Sequence, residues 1–127
     1  MVVIGLAGTV RNAERNRDAG VDIVVCQGTE GGGHTGPVAT LPLVSQAVEA
    51  IAPTPVVAAG GITGGRGIAA ALTLGAIGVW IGTAFLVAEE GGLPDTVKED
   101  IVDLDNPSIS LNRINDKRFS LVPGQLQ

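Results

Sequence analysis

Residues 55–83 read PVVAAGGITGGRGIAAALTLGAIGVWIGT, and this stretch decides the fold. It opens on an unbroken apolar run, Pro55–Ala59, that stops at Gly60-Gly61. Ile68, Ala71, Leu72 and Gly75 follow at helical spacing, and a second apolar run, Gly78–Ile81, stops at Gly82-Thr83. Short runs that are continuous instead of alternating suit strands buried on both faces, as in parallel sheets. The helix between them supplies the crossover that two parallel strands need. The stretch is therefore one β-α-β unit with a glycine-bearing turn after each strand.

The same grammar extends outward. Val2–Leu6 and Asp22–Cys26 are two more apolar runs, each near a glycine. Thr9 can cap a helix running to Ala19, with Gly20 as its stop. Val44, Ala47, Val48 and Ile51 make one apolar stripe that Pro53 ends. Thr83 opens a fourth helix that is expected to end near Glu89-Glu90 and Gly91-Gly92. The order β-α-β-α-β-α-β-α calls for a parallel sheet with right-handed crossovers. A doubly wound sheet also satisfies that order, but near-equal units and glycine-rich loops placed after strands favour a (β/α) barrel. A complete (β/α)8 TIM-type barrel takes roughly 250 residues, so four β-α units make about half of one. Residues 1–92 form this half-barrel, and residues 93–127 form a polar tail with a short helix around Val97–Leu104.

Composition narrows the function classes. The 127 residues are 45% hydrophobic but only 2% aromatic, so the core is built from Val, Ile, Leu and Ala. A net charge of −5 with no Lys/Arg patch lacks the footprint of a nucleic-acid binder. The longest apolar stretch, from Ile68 to Val87, is broken by glycines and threonines and does not read as a membrane span. One cysteine, Cys26, makes no internal disulfide, and no secretory signal pattern opens the sequence. A reducing, cytoplasmic location is the default expectation.

Chemistry concentrates at the strand ends. Glycine lets backbone N–H groups approach a ligand, and a following helix N-terminus favours an anion. One such junction commonly just makes a turn. Two on neighbouring strands, Gly60-Gly61 and Ile81-Gly82-Thr83, match the phosphate site that late barrel loops form. After the second strand comes a loop with the only histidine, His34, set among glycines. Imidazole moves protons near neutral pH, and the glycines leave room for a ligand beside it; a solvent-exposed histidine without a role is the bland alternative. No second histidine or cysteine cluster supports a zinc site, and no Ser or Cys neighbours His34 as a nucleophile. Gln27 ends its strand with a polar group directed at a site or a loop. Glu30 reads as an exposed loop carboxylate, or else as a partner of His34. Cys26 reads as a small buried residue, Arg66 as a solvated residue at a helix entry, and Trp80 as either packing or the flank of a ligand.

Three segments in this order, DIVVCQGTEGGGHTG at 22–36, PVVAAGGI at 55–62 and GVWIGTAFL at 78–86, resemble the nitronate monooxygenase family. That family, once called 2-nitropropane dioxygenases, includes FMN-dependent enoyl-acyl-carrier-protein reductases of similar sequence. The resemblance covers roughly residues 2–90 and implies the C-terminal half of an FMN-binding barrel. By position it implies that Gln27, Gly32 and Gly61 contact FMN and that Trp80-Ile81-Gly82-Thr83 hold its phosphate end, with Gly60 joining the cofactor site from the strand-end reading. His34 would be the catalytic base. The activity implied is oxidation of alkyl nitronates or nitroalkanes by O2 to carbonyl compounds and nitrite. The alternatives are an NAD(P)H-dependent enoyl reductase of the same fold, or a half-barrel that only binds phosphate or dimerises. Trp80 stands where many relatives have Gln. The family's early strands and an asparagine contact to FMN have no counterpart, so a homo-oligomer or a completing half-barrel is the expected partner.

Overall fold

A computed structural model describes residues 1–102. Its elements are β1 (Ile4–Ala7), α1 (Val10–Asp18), β2 (Ile23–Gln27), α2 (Thr40–Ala50), β3 (Val56–Ala59), α3 (Gly65–Thr73), β4 (Gly78–Trp80), α4 (Thr83–Leu86) and α5 (Asp95–Val102). The four strands are parallel and lie in the order β1-β2-β3-β4. A doubly wound sheet reverses its strand order at a switch point. This sheet advances in one direction, as a barrel wall does.

Strand parity places the core. In β2, Val24 and Cys26 are fully buried on the helix side, where they meet Val56 and Ala58 of β3 and Ala7 of β1. Ala13 of α1, Leu43, Val44 and Ala47 of α2, and Ala71 of α3 close over them. α1, α2 and α3 therefore cover one face of the sheet. Four apolar residues of the α2 segment, Leu43, Val44, Ala47 and Ile51, are fully buried. Each Leu, Ile or Val buried in this way contributes about 1.5–3 kcal/mol. The other face shows Ile4 and Leu6 of β1 to solvent, Leu6 at 64% exposure.

Local signals set the element ends. Thr9 accepts the Asn12 N–H on its hydroxyl at 3.2 Å and caps α1 as expected. At the far end Gly20 turns the chain with φ of 81°. Arg17 of α1 donates to the Ala50 carbonyl at 2.7 Å, which satisfies an otherwise open carbonyl at the end of α2. Several boundaries differ from expectation by a residue, and three differ by more. β1 starts at Ile4 and not Val2, because the Asp22 carboxylate takes the Val3 N–H at 2.7 Å. α4 is a single turn that ends at Leu86, short of Glu89-Glu90, whose charges the carbonyl end of a helix disfavours. α5 begins at Asp95, before Val97, and its expected end at Leu104 lies outside the described residues, as does the rest of the tail. Val97 and Ile101 of α5 pack with Val87 and Leu93 in a small separate cluster.

Candidate functional site

The register of the sheet assembles a layer at the C-terminal rim. Gln27 pairs with Ala59, and Ala59 with Trp80, so three neighbouring strands present these side chains to the same open face. Ala59 is small and leaves depth between its neighbours. Trp80 stands half exposed as one wall, and Gln27 supplies a polar group opposite. Above this layer the cleft continues over Gly60-Gly61 and over Ile81-Gly82-Thr83, enclosing about 320 Å3. That volume lies at the small end of ligand pockets, which run from about 300 to 1,000 Å3. Gly32 reaches the same cleft from the β2–α2 loop. Every residue expected at a cofactor site thus lines one cleft, and Trp80 is a wall of it, not a core residue.

The Gly60-Gly61 turn has a conformation that only glycine adopts easily. Their φ angles are 99° and 68°. A Cβ at Gly60 would lie 2.8 Å from the Gly31 nitrogen and from the Thr40 hydroxyl, and one at Gly61 would lie 2.9 Å from the Glu30 Cβ. The turn is therefore tight on its protein side and open on its cleft side. That suits close approach of a phosphoryl group to the backbone.

His34 lies beside this cleft, not in it. It lines a neighbouring hollow of about 270 Å3, together with Thr35 and Asn12. Leu6 and Gln27 belong to both spaces, so the two are contiguous. The loop that carries the exposed His34 is pinned at both ends. Gln27 donates from Nε2 to the Gly32 carbonyl at 2.6 Å, and the Thr29 N–H bonds the Val38 carbonyl at 3.0 Å. Gly36 rests backbone to backbone on Gly8, a contact that no side chain would permit.

Glu30 departs from both sequence expectations. Its carboxylate is half-buried and accepts the Thr40 N–H at 2.9 and 3.2 Å on its two oxygens, so it caps α2 from a preceding loop. The Thr29 and Thr40 hydroxyls lie 3.2 and 3.0 Å from the same oxygen. Burial alone would raise its pKa, but the backbone N–H groups of Glu30 and Thr40 and these hydroxyls outweigh it and hold Glu30 below the ordinary carboxylate value. Thr40 itself went unread in the sequence. Its type is that of a helix start, yet its carboxylate partner sits ten residues upstream, outside capping-box spacing. Cys26 is buried on the helix side, and desolvation pushes its thiol up to about 11. Arg66 is exposed in the first turn of α3, away from the cleft.

The arrangement offers an anion the backbone of two strand-end turns, a planar ligand an aromatic wall and a polar amide, and a substrate an imidazole on the adjoining rim. Comparison with known proteins bears on which ligands these are. The family model described as nitronate monooxygenase matches residues 1–119. A Mycobacterium tuberculosis protein named as a monooxygenase is 58% identical over 99 residues, covering 78% of this chain and 26% of its own length. A Rhodococcus jostii protein, (3aS,4S,5R,7aS)-5-hydroxy-7a-methyl-1-oxo-octahydro-1H-indene-4-carboxyl-CoA dehydrogenase, is 50% identical over 100 residues, covering 79% of this chain and 28% of its own. Among solved structures, FabK from Thermotoga maritima superposes with a TM-score of 0.78 at 40% identity, covering 82% of this chain and 33% of that one. Nitroalkane oxidase from Streptomyces ansochromogenes superposes with a TM-score of 0.77 at 38% identity, covering 81% and 33%. The chain spans between a quarter and a third of the length of these relatives.

Proposed function

This chain belongs to the nitronate monooxygenase family, and on that premise we propose that it forms the phosphate-holding and proton-handling part of an FMN-dependent oxidoreductase. The reaction we assign is oxidation of alkyl nitronates or nitroalkanes by O2 to carbonyl compounds and nitrite. One observation carries the reading: an in-register layer of Gln27, Ala59 and Trp80 lies directly beneath two glycine-bearing strand ends in a single cleft. A phosphate with an attached planar ring system needs these features side by side.

FMN, when bound, would supply the redox chemistry, and the protein supplies orientation and proton control. Gly60, Gly61, Gly82 and Thr83 would hold the phosphate through backbone N–H groups and the Thr83 hydroxyl. Gln27 and Trp80 would flank the ring, with Gly32 and Ile81 completing the wall. A ring nitrogen of His34 would take the proton from the carbon that bears the nitro group, or orient an anionic nitronate. The glycines around His34 leave that substrate room. The cleft has an open side, which a completing half-barrel or a second copy would cover. Among the described residues no helix is long and apolar enough to cross a membrane, and the free thiol of Cys26 suits a reducing cytoplasm.

The test is spectral and catalytic. Purified chain mixed with FMN should show bound-flavin absorbance, and oxygen uptake with propionate 3-nitronate should fall at least about a hundredfold in His34→Ala, the lower end of what a positioned acid–base group contributes. A chain that takes up no FMN would sink this reading. A flavin-dependent enzyme acting on a thioester of the same fold is the second reading. The relative named as a carboxyl-CoA dehydrogenase and the superposition on FabK favour it. NAD(P)H oxidation driven by an enoyl thioester, without oxygen uptake on nitronates, would select it.

A further inference from the structure

The Glu30–Thr40 pair packs against the Gly60-Gly61 turn, Glu30 also forming part of the cleft lining, and neither residue has a role in the chemistry assigned above. The Thr40 hydroxyl, in a residue only 2% exposed, sits 3.0 Å from the Glu30 carboxylate, 3.1 Å from the Ala59 carbonyl and 2.9 Å from the Gly60 carbonyl. One hydroxyl proton serves three acceptors, so it donates to one of them at a time. The Thr40 N–H donates to Glu30 as well, which anchors the carboxylate on the first turn of α2. The missing Cβ atoms of Gly60 and Gly61 are what let Thr40 and Glu30 come this close. The carbonyls of the last residue of β3 and of the turn after it, the N-terminus of α2 and the loop leading to His34 thus meet at one polar node, the only buried polar residue of which is Thr40 among those described.

We propose that Glu30 and Thr40 are positioning residues that fix the Gly60-Gly61 turn, so that affinity for a phosphoryl group depends on two side chains engaged with other protein groups. Both carboxylate oxygens of Glu30 already accept hydrogen bonds from the start of α2, so its charge is engaged by protein donors although the residue borders the cleft. The proposal rests on the flavin reading, because it takes the turn to be the phosphate end of a flavin site. It separates from general stability by one property: riboflavin has the ring of FMN without the phosphate. Losing the node should weaken only the phosphate-dependent part of binding.

The experiment compares FMN and riboflavin affinity by flavin fluorescence in the full chain and in Glu30→Ala, Thr40→Val and Thr40→Ser, with far-UV circular dichroism confirming the fold. Glu30→Ala and Thr40→Val should weaken FMN at least about tenfold, as expected for loss of hydrogen bonds to a charged group. Riboflavin should change by less than about twofold, and Thr40→Ser, which keeps the hydroxyl, should restore FMN affinity. Equal weakening of both flavins, or of neither, overturns the proposal. If the unsubstituted chain binds neither flavin, the flavin reading fails by itself, and inorganic phosphate then decides the positioning claim. Phosphate-dependent shifts of the Gly60 and Gly61 amide resonances that are present in the unsubstituted chain and lost in Thr40→Val support it. Shifts that persist in Thr40→Val, or no shifts at all, overturn it. Should Thr40→Val not fold, Glu30→Gln provides the same comparison with the side-chain shape kept.

Discussion

Glu30 has a folded pKa below its unfolded one, so its contribution to stability is present above the unfolded value, about 4.3, and is lost as pH falls through the folded value. Glu30→Gln removes that titration. Acid unfolding of the two proteins, followed by circular dichroism, should therefore differ at neutral pH and converge as the medium becomes acidic. Cys26 behaves in the opposite sense. Burial holds its thiol protonated up to about 11, and the thiolate is the reactive species, so alkylation at pH 8 should be slow in the folded chain and fast in urea. Gly61→Ala forces a Cβ onto a left-handed backbone and against Glu30, with an expected cost of at least about 1–2 kcal/mol in denaturant titrations. The same variant should lose phosphate-dependent binding. His34 and the glycines were legible in the sequence as types at a rim. The Glu30–Thr40 contact was not, because its members lie on different elements and their spacing follows from loop closure.

At the scale of elements, α2 ties the half-barrel together. Its fully buried face packs on β2 and β3, its first turn holds Glu30, and its last carbonyl accepts Arg17 of α1. Leu43→Ala should cost about 2–5 kcal/mol in urea unfolding. A loss well below that range would mean that the site collapses around the gap. α4 shows where periodicity misleads. Residues after Thr83 continue an apolar pattern, yet the helix stops after one turn and the chain bends to meet α5. α4 buries none of its residues, with Phe85 and Leu86 exposed, and an apolar pattern with no neighbour to pack on does not extend a helix.

For the whole molecule, the sheet has helices on one face and two terminal strands, β1 and β4, each with one edge unpaired among the described residues. Ile4 and Leu6 are exposed on the open face, as is Trp80 in the cleft. Apolar surface next to an open strand edge promotes association. The chain should therefore run above its monomer mass in sedimentation at micromolar concentration, and Leu6→Lys should reduce that association while leaving the helical signal intact. A monomeric unsubstituted chain would refute this expectation.

The sequence by itself determined the β-α alternation, the parallel sheet, the cap at Thr9 and the rim that bears Gly60-Gly61, Gly82-Thr83 and His34. Each of these depends on residue type and local spacing: continuous Val/Ile runs, a hydroxyl before a helix, glycine after a strand. The tertiary structure alone decided which strand neighbours which, and hence that Gln27, Ala59 and Trp80 share a layer. It also decided that His34 faces an adjoining hollow and that Glu30 serves the start of α2. Which residues of different strands stand in register and which loops touch arise from packing distant segments together, and spacing within one segment does not encode them.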